Sequence, residues 1–509
     1  MERAQGTLFE RILRLPLFLL LVGLFSGLML LPAAYAGIIR EHETGRAFLY
    51  SGLLGLILFA LIALAHRGRD PRHGTLGPLM TLLSAFALLP ALLAVPFFEG
   101  LRTTSFMNAY LEMVSAMTTT GAPLFDDPDR LNPALHFWRA LVGWMGGLLM
   151  WVAAAAILAP LNLGGFEVTA RAEPGRREQR SRKEPGAEMR MRLRTTALAL
   201  VPIYVGLTLL LAIMLMVLGD RAFIAACHAM AIMATSGISP VDGLQGGAVG
   251  LPGEAVMMLF MAFSVSRLTF STDTVTSTAG GLAMDPEVRI GLIVLITVPS
   301  ILFLRHWLAA FESAEGLTVL DGLRAYWGSV FTVMSFMTTT GFTSADWGNA
   351  QSWSGLQTPG LILMGLALIG GGVATTAGGV KLLRVFALYA NGHRELDRLV
   401  HPSSVSGAGP LGRRLQKDGA FIAWVFFMLF ALSLACVTVL LAAYGIAFED
   451  AVVLAIAGLS TTGPLLAHGG ESIIDLAAMG TGPKVIFAAA MVIGRLETLA
   501  IIALLTPDL

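Results

Sequence analysis

Four short hydroxyl-rich patches, each closed by a glycine, are the residues of this chain best suited to handling an ion. They read MTTTGA (Met117 to Ala122), MATSGI (Met233 to Ile238), MTTTGF (Met337 to Phe342) and LSTTGP (Leu459 to Pro464). The candidate contact residues are Thr119, Thr120, Gly121 and Ala122; Thr235, Ser236, Gly237 and Ile238; Thr339, Thr340, Gly341 and Phe342; and Thr461, Thr462, Gly463 and Pro464. None of these side chains is charged, so a cation must be held by neutral oxygens. Backbone carbonyls can do this, as in potassium-selective filters, where they replace the hydration shell. Glycine accepts backbone angles that aim carbonyls inward and lets chains approach closely. A single such patch is ordinarily a helix-packing feature; four in equivalent surroundings point to a shared site.

Each patch occupies the same place in a larger repeat. A long apolar span is followed by an apolar segment too short to cross a membrane, then the patch, a polar stretch and a second span. In the first unit these run Gly77 to Phe98, Ser105 to Ala116, Met117 to Ala122, Pro123 to Pro133 and Ala134 to Leu161. The short segments of the other units are Ala222 to Met233, Gly322 to Met337 and Ala451 to Leu459. Such a segment must dip into the bilayer and return through its patch. Irregular backbone at that depth is tolerated only where protein buries it or it lines a watery cavity. Four turns about one axis make a ring of carbonyls, with the negative ends of the short helices' dipoles directed toward it.

The expected fold is an all-α integral membrane protein, with two leading transmembrane helices and four span, pore loop, span repeats around a central pore. The boundaries read as 1–73 for the leading pair, 74–165 for repeat 1, 166–194 for a basic cytoplasmic loop, 195–287 for repeat 2, 288–390 for repeat 3, 391–418 for a second cytoplasmic loop and 419–509 for repeat 4. Composition agrees: of 509 residues 55% are hydrophobic and 13% charged, against roughly 25% charged in soluble proteins. Runs near the ~20 residues that span a bilayer include Leu15 to Ala34, Phe48 to Ala65, Thr196 to Leu218, Phe421 to Tyr444 and Val485 to Leu505. The motif LPAAYAG after the first run resembles a signal-peptide cleavage site, but the length of that run and the mixed charges before it favour a retained span.

Basic residues cluster at Arg67 to Arg72, Arg171 to Arg194 and Arg394 to Lys417. The positive-inside rule makes these cytoplasmic, with ten spans and both termini inside. The patches then face outward near Asp126, Asp127, Asp242, Asp346 and Glu449, acids that suit either a cation entrance or ordinary solvated loops. Net charge is zero, which leaves no nucleic-acid footprint. Cys227 and Cys436 lie in apolar runs and read as buried thiols.

Longer motifs carry a family likeness: GWMGGLLMWVAAAAILAPLNLGG (Gly143 to Gly165), GGGVATTAGGVKLLRV (Gly370 to Val385), HRELDRLVHPSSV (His393 to Val405) and GRLETLAIIALLTP (Gly494 to Pro507). With them the chain resembles the Trk/Ktr/HKT superfamily of potassium transporters over nearly its whole length, most of all the bacterial TrkH-type pore subunit. The resemblance puts the filter glycines at Gly121, Gly237, Gly341 and Gly463. A serine at the first position accompanies sodium transport in plant relatives, so four glycines imply potassium preference. Ser236 and Pro464 depart from the pattern and imply a filter that is not fourfold symmetric.

Two further features gain meaning from the likeness. The candidate gate combines Gly370, Gly371, Gly372, Thr375, Thr376, Gly378, Gly379, Lys381 and Arg495. The five glycines weaken a helix in mid-membrane, serving either as a packing notch or, as the resemblance implies, as an intramembrane loop that obstructs the pore. Arg495, midway along the last apolar run, is expensive in a membrane; it either pairs with Glu497 or another span's polar group, or stands beneath the filter as a barrier to cations, and both roles can hold at once. Lys381 either lines the pore or snorkels toward the cytoplasm. Potassium is the implied transported ion, with no covalent cofactor. The resemblance further implies a homodimer, a cytoplasmic regulatory subunit with nucleotide-binding RCK domains, and a bacterial inner-membrane location. The basic loops suit either that subunit or anionic lipid.

GAGPLG (Gly407 to Gly412) has dinucleotide-fingerprint spacing, but no strand precedes it. No metal, nucleotide or nucleophile motif is present, so the chain is not expected to be an enzyme. His136 and His228 read as structural, and Arg267 with Asp273 as a polar pair near the cytoplasmic face. A cation-coupled secondary transporter would need carboxylates at a midplane site, whereas the obvious acids lie mostly in loops. A less selective potassium and sodium pathway is the other alternative.

Overall fold

The computed structural model describes residues 15–66, 77–159, 185–266, 285–309, 319–401 and 419–497, except 126, 242, 245–248 and 357, together with 161, 163 and 165. Helices α1 (Leu17–Leu28) and α2 (Leu30–Ile38) make the first span and α3 (His42–Ala65) the second. Tyr35 of α2 stacks on Phe223 of repeat 2, ring centroids 5.5 Å apart, so the leading pair is packed onto the repeats.

Repeat 1 begins with α4 (Gly77–Ala87) and α5 (Leu89–Leu101), one span broken at Leu88, just before Pro90, which cannot donate to the preceding turn. Ser105 then caps α6 (Phe106–Met117), its Oγ accepting from Asn108 N at 3.2 Å. Asn132 caps α7 (Pro133–Ala153), with Oδ1 accepting from Leu135 N at 3.0 Å and Pro133 at the first position. These caps stop and restart the helix on either side of the first patch. A π-turn at Ala154–Leu158 extends α7.

Repeat 2 contains α8 (Pro185–Val217), α9 (Ala222–Ala234) and α10 (Gly250–Met261). Repeat 3 contains α11 (Pro286–Ala309), α12 (Val319–Met337), α13 (Trp347–Ser354), α14 (Gly360–Ile369) and α15 (Leu382–Val400). Repeat 4 contains α16 (Gly419–Ala443), α17 (Phe448–Leu459), α18 (Leu465–His468) and α19 (Thr481–Leu496). The four short apolar segments are therefore α6, α9, α12 and α17.

Among the described residues, seven helices are long and apolar enough to cross a membrane. Of the ten expected spans the remaining three are α10, the interrupted pair α14 and α15, and α19. The last was expected to run on to Leu505, but Glu497 takes a φ of 64° and ends it; residues 498–509 lie outside the described residues. So do the first two basic clusters apart from Arg190, Arg192 and Arg194, the Arg267 and Asp273 pair, and GAGPLG.

The core lies around α7, whose span is 83% buried against 17% for α3. Its GWMGG glycines explain the difference. A Cβ on Gly146 would overlap the Met117 carbonyl at the end of α6, and one on Gly147 would come within 2.9 Å of Ala234 Cα at the end of α9. Missing side chains thus bring two short helices against one central span. Cys227 is buried as expected, but Cys436 is exposed, because α16 packs on its neighbours along one face only.

Candidate functional site

The short helices end at Met117, Ala234, Met337 and Leu459, so every patch starts at or just past a helix C-terminus. Beyond it the backbone is held in one unusual form. Thr119, Thr235, Thr339 and Thr461 have φ of 55°, 51°, 58° and 54°, and Gly121, Gly237 and Gly341 follow at 65°, 63° and 85°. A left-handed β-branched residue costs about 1 to 3 kcal/mol and persists only where its surroundings over-determine it. Here the helix ends do so: Thr120 N and Gly121 N donate to Ser115 O (2.8 and 3.3 Å), and Thr340 N and Gly341 N to Ser335 O (2.9 and 3.2 Å). Ser236 N meets Ala231 O and Thr462 N meets Ala457 O, both at 2.9 Å. Alternating left-handed and ordinary φ turns successive N–H groups to one side of the chain and carbonyls to the other.

The patches close on one another in chain order. A Cβ on Gly121 would overlap the Ser236 carbonyl, and one on Gly237 the Thr340 carbonyl. One on Gly341 would meet the Pro464 ring at 2.6 Å, and one on Gly463 would overlap Ala122. Each glycine therefore admits the backbone or ring of the next patch, and all sixteen candidate residues come together in one ring. Ile238 Cγ1 would lie 3.5 Å from a Cβ on Gly121. Phe342 meets His228 edge to face at 5.7 Å, and Ala122 N donates to Ser115 Oγ at 2.8 Å.

The fourth quarter differs. Pro464 opens α18, so Leu466 N donates to Gly463 O at 2.9 Å and Leu465 N to Thr462 O at 3.3 Å. Gly463 lacks the positive φ of the other three, and its N–H donates to Thr120 O at 2.6 Å. The carbonyls of Ser236, Gly237, Thr340 and Gly341 accept no hydrogen bond among the described residues.

Residues 370–381 form an irregular loop between α14 and α15, entered at Gly370 (φ 73°) and left at Lys381 (φ 85°). Gly372 N donates to Ser264 O at 2.9 Å and Val373 N to Glu287 Oε1 at 2.7 Å. Toward the ring, Gly378 N donates to Thr339 Oγ1 at 2.8 Å, Thr235 Oγ1 donates to Thr376 Oγ1 at 3.1 Å, and a Cβ on Gly378 would overlap the Ser460 carbonyl. The loop thus touches patches 2, 3 and 4, while the buried Thr119 hydroxyl of patch 1 has no hydrogen-bond partner.

Lys381 is buried and its Nζ donates to Ala377 O. It pins the loop rather than snorkelling, because the α15 N-terminus starts deep in the protein. Arg495 Nη1 donates to Thr376 O at 2.6 Å, joining the last helix to the loop, while its Nε and Nη2 are buried without hydrogen-bond partners. It sits in the last turn of α19 and does not pair with Glu497. That carboxylate instead accepts from Arg384 Nη2 at 2.6 Å, and the Arg384 guanidinium lies 3.6 Å above the Phe426 ring. Arg384 and Glu287 are support residues that the sequence reading missed. A second cation three residues past Lys381, in an otherwise apolar run, was the available signal for Arg384.

Comparison with known proteins agrees with this architecture. The family TrkH, described as a cation transport protein, matches residues 95–507. The Trk system potassium uptake protein TrkH of Salmonella typhimurium is 31% identical, covering 96% of this chain and 97% of the relative, and that of Escherichia coli K12 is 30% identical over the same shares. The crystal structure of the potassium transporter TrkH from Vibrio parahaemolyticus superposes with a TM-score of 0.78 at 26% identity, covering 98% of this chain and 99% of that one. This chain, a multi-pass membrane protein and not an enzyme, belongs to the TrkH family of cation transport proteins.

Proposed function

We propose that this protein takes up potassium across the bacterial inner membrane through the ring of four patches, which acts as a carbonyl-lined selectivity filter. Loop 370–381, with Lys381 and Arg495, acts as the gate beneath it. The observation that carries the reading is the head-to-tail closure of four equivalent helix-end turns, in which threonines accept backbone strain at matching positions. Neutral carbonyls suit a cation that must bind and leave. The names of the relatives support potassium as the ion.

The gate works by order and displacement. The loop holds hydrogen bonds to Thr339 and Thr235, and Arg495 adds a positive charge that opposes a cation below the ring. A cytoplasmic RCK-domain subunit bound to the basic loops shifts the loop's equilibrium, and two copies of the chain form a homodimer with one pore each. Both termini lie in the cytoplasm. These partners rest on the family likeness and on the positive-inside pattern.

A less selective potassium and sodium pathway is favoured by one observation, the hydrogen-bonded Gly463 carbonyl of the fourth quarter. Secondary coupling is not favoured. The buried carboxylates among the described residues are already engaged: Glu112 by Arg139, Glu497 by Arg384, Glu287 by Val373 N, Glu254 by Trp327, Ser344 and Ala345 N, Asp285 by Ser266 Oγ and Glu287 N, and Asp220 by His228. Potassium, rubidium and sodium flux into liposomes holding the full chain tests the proposal. Wild type is expected to prefer potassium, and Gly121→Ser, which must displace Ser236 O, to lose about tenfold in that preference, a change of about 1.4 kcal/mol. Equal potassium and sodium flux in wild type, or solute exchange without net cation current, sinks it.

A further inference from the structure

One buried carboxylate is used by neither the filter nor the gate. Glu254, on α10 of repeat 2, is 4% exposed, yet no Lys or Arg pairs with it among the described residues. Its partners come instead from repeat 3. Oε2 accepts from Trp327 Nε1 at 2.8 Å and from Ser344 Oγ at 2.7 Å, and Oε1 accepts from Ala345 N at 2.7 Å. All three partners donate, which suits an acceptor-only carboxylate.

Those donors sit on both limbs of one re-entrant turn. Trp327 belongs to α12, the limb that leads into the third patch, whereas Ser344 and Ala345 follow Gly341 on the limb that leaves it. Ser344 N also donates to Thr332 Oγ1 at 3.2 Å, and Asp346 N donates to Ser344 Oγ at 3.1 Å. Glu254 therefore fixes the spacing of the two limbs from outside the repeat. Between its attachment points lie Gly341 and Phe342, and Phe342 contacts His228 of repeat 2.

We infer that Glu254 is a positioning residue for the third patch and, through it, a determinant of potassium over sodium discrimination. The inference rests on the ring being the selectivity filter. A site that selects by the spacing of carbonyls is sensitive to the width of the turn that carries them. Leaving a buried donor without its acceptor costs enough to shift that width. A purely structural role would change the yield of folded protein and the overall flux, but not the ratio between ions.

The test is potassium, rubidium and sodium flux into liposomes holding the full chain as wild type, Glu254→Gln, Trp327→Phe and the double variant. Glu254→Gln keeps the shape but turns an NH2 group toward at least one donor. The sodium to potassium flux ratio is expected to rise about tenfold in Glu254→Gln, the scale of one hydrogen bond to a charged acceptor. A smaller rise is expected in Trp327→Phe, with the double variant no worse than Glu254→Gln alone, because both substitutions release the same clasp. An unchanged ratio in either folded single variant overturns the inference. Should Glu254→Gln fail to fold, Trp327→Phe decides alone. A wild type that does not discriminate between the ions overturns the filter reading itself, a result distinct from selective wild type with unaltered variants.

Discussion

The final spans of repeats 1 and 3 stand at equivalent places behind their patches, yet one is continuous and the other is broken. In repeat 1, α7 passes the end of the short helix unbroken, with Gly146 making room for the Met117 carbonyl. In repeat 3 the same position is divided into α14 and α15, and the loop between them lies under the ring. Glycine serves both spans, but in opposite ways. In α7 Gly143, Gly146 and Gly147 lie within a continuous helix and allow close packing without loss of the ladder. In the third span Gly370, Gly371 and Gly372 come in succession and Gly378 with Gly379 follows, so the backbone entropy cost of a helix is concentrated at both ends of a five-residue stretch. The loop then finds its hydrogen bonds on the ring and on Ser264, Glu287 and Arg495. An irregular loop has been made from a span by replacing local hydrogen bonds with tertiary ones.

The largest expected effect comes from removing that element. Deleting Val373 to Ala377 abolishes the bonds to Glu287, Thr235 and Arg495 and is expected to raise potassium flux into liposomes by on the order of tenfold, since each lost contact biases the loop toward its displaced state. Unchanged flux in the folded variant would show that the broken span is no more a gate than α7 is.

The next effect is one of stability. Arg384→Ala leaves Glu497 buried without its cation and removes the contact with Phe426. Breaking a buried pair from one side costs about 3 to 5 kcal/mol. A clear drop in the melting temperature of the purified protein is expected, partly restored by adding Glu497→Gln. No recovery in the double variant would mean that Arg384 anchors α15 by packing alone.

Much of this arrangement was legible in the sequence because it depends on local rules. Runs of apolar residues and the recurring Thr-Thr-Gly or Thr-Ser-Gly marked the spans, the short helices and the ring-forming turns. What was hidden depends on distant chain segments meeting. Glu497 is Arg495's near neighbour in sequence, but residues two apart on a helix do not face each other; the fold gives Glu497 to Arg384, 113 residues away, and gives Arg495 the Thr376 carbonyl, the polar group of another span. For Lys381 the sequence allows either a pore-lining or a snorkelling side chain, because nothing in it shows how deep α15 begins. Pro464 signalled that the fourth quarter is unequal, but not that α18 would absorb the Gly463 carbonyl.

The smallest expected effects contrast the two spans most directly, by placing one methyl group in each. Gly146→Ala presses on Met117 O in α6, and Gly378→Ala presses on Ser460 O beside patch 4. Both overpack a backbone contact, a strain of about 1 to 3 kcal/mol. In α7 the strain has no outlet, because Gly146 and Met117 are both held in packed helices, so it should appear chiefly as a lower melting temperature, with basal potassium flux unchanged. In the loop the strain is relieved when the loop leaves the ring. Gly378→Ala should therefore raise basal potassium flux by about fivefold, the equivalent of about 1 kcal/mol in the open to closed ratio, with little change in melting temperature. The reverse outcome, a destabilised Gly378→Ala with wild-type flux, would make the loop as rigid as the helix it interrupts.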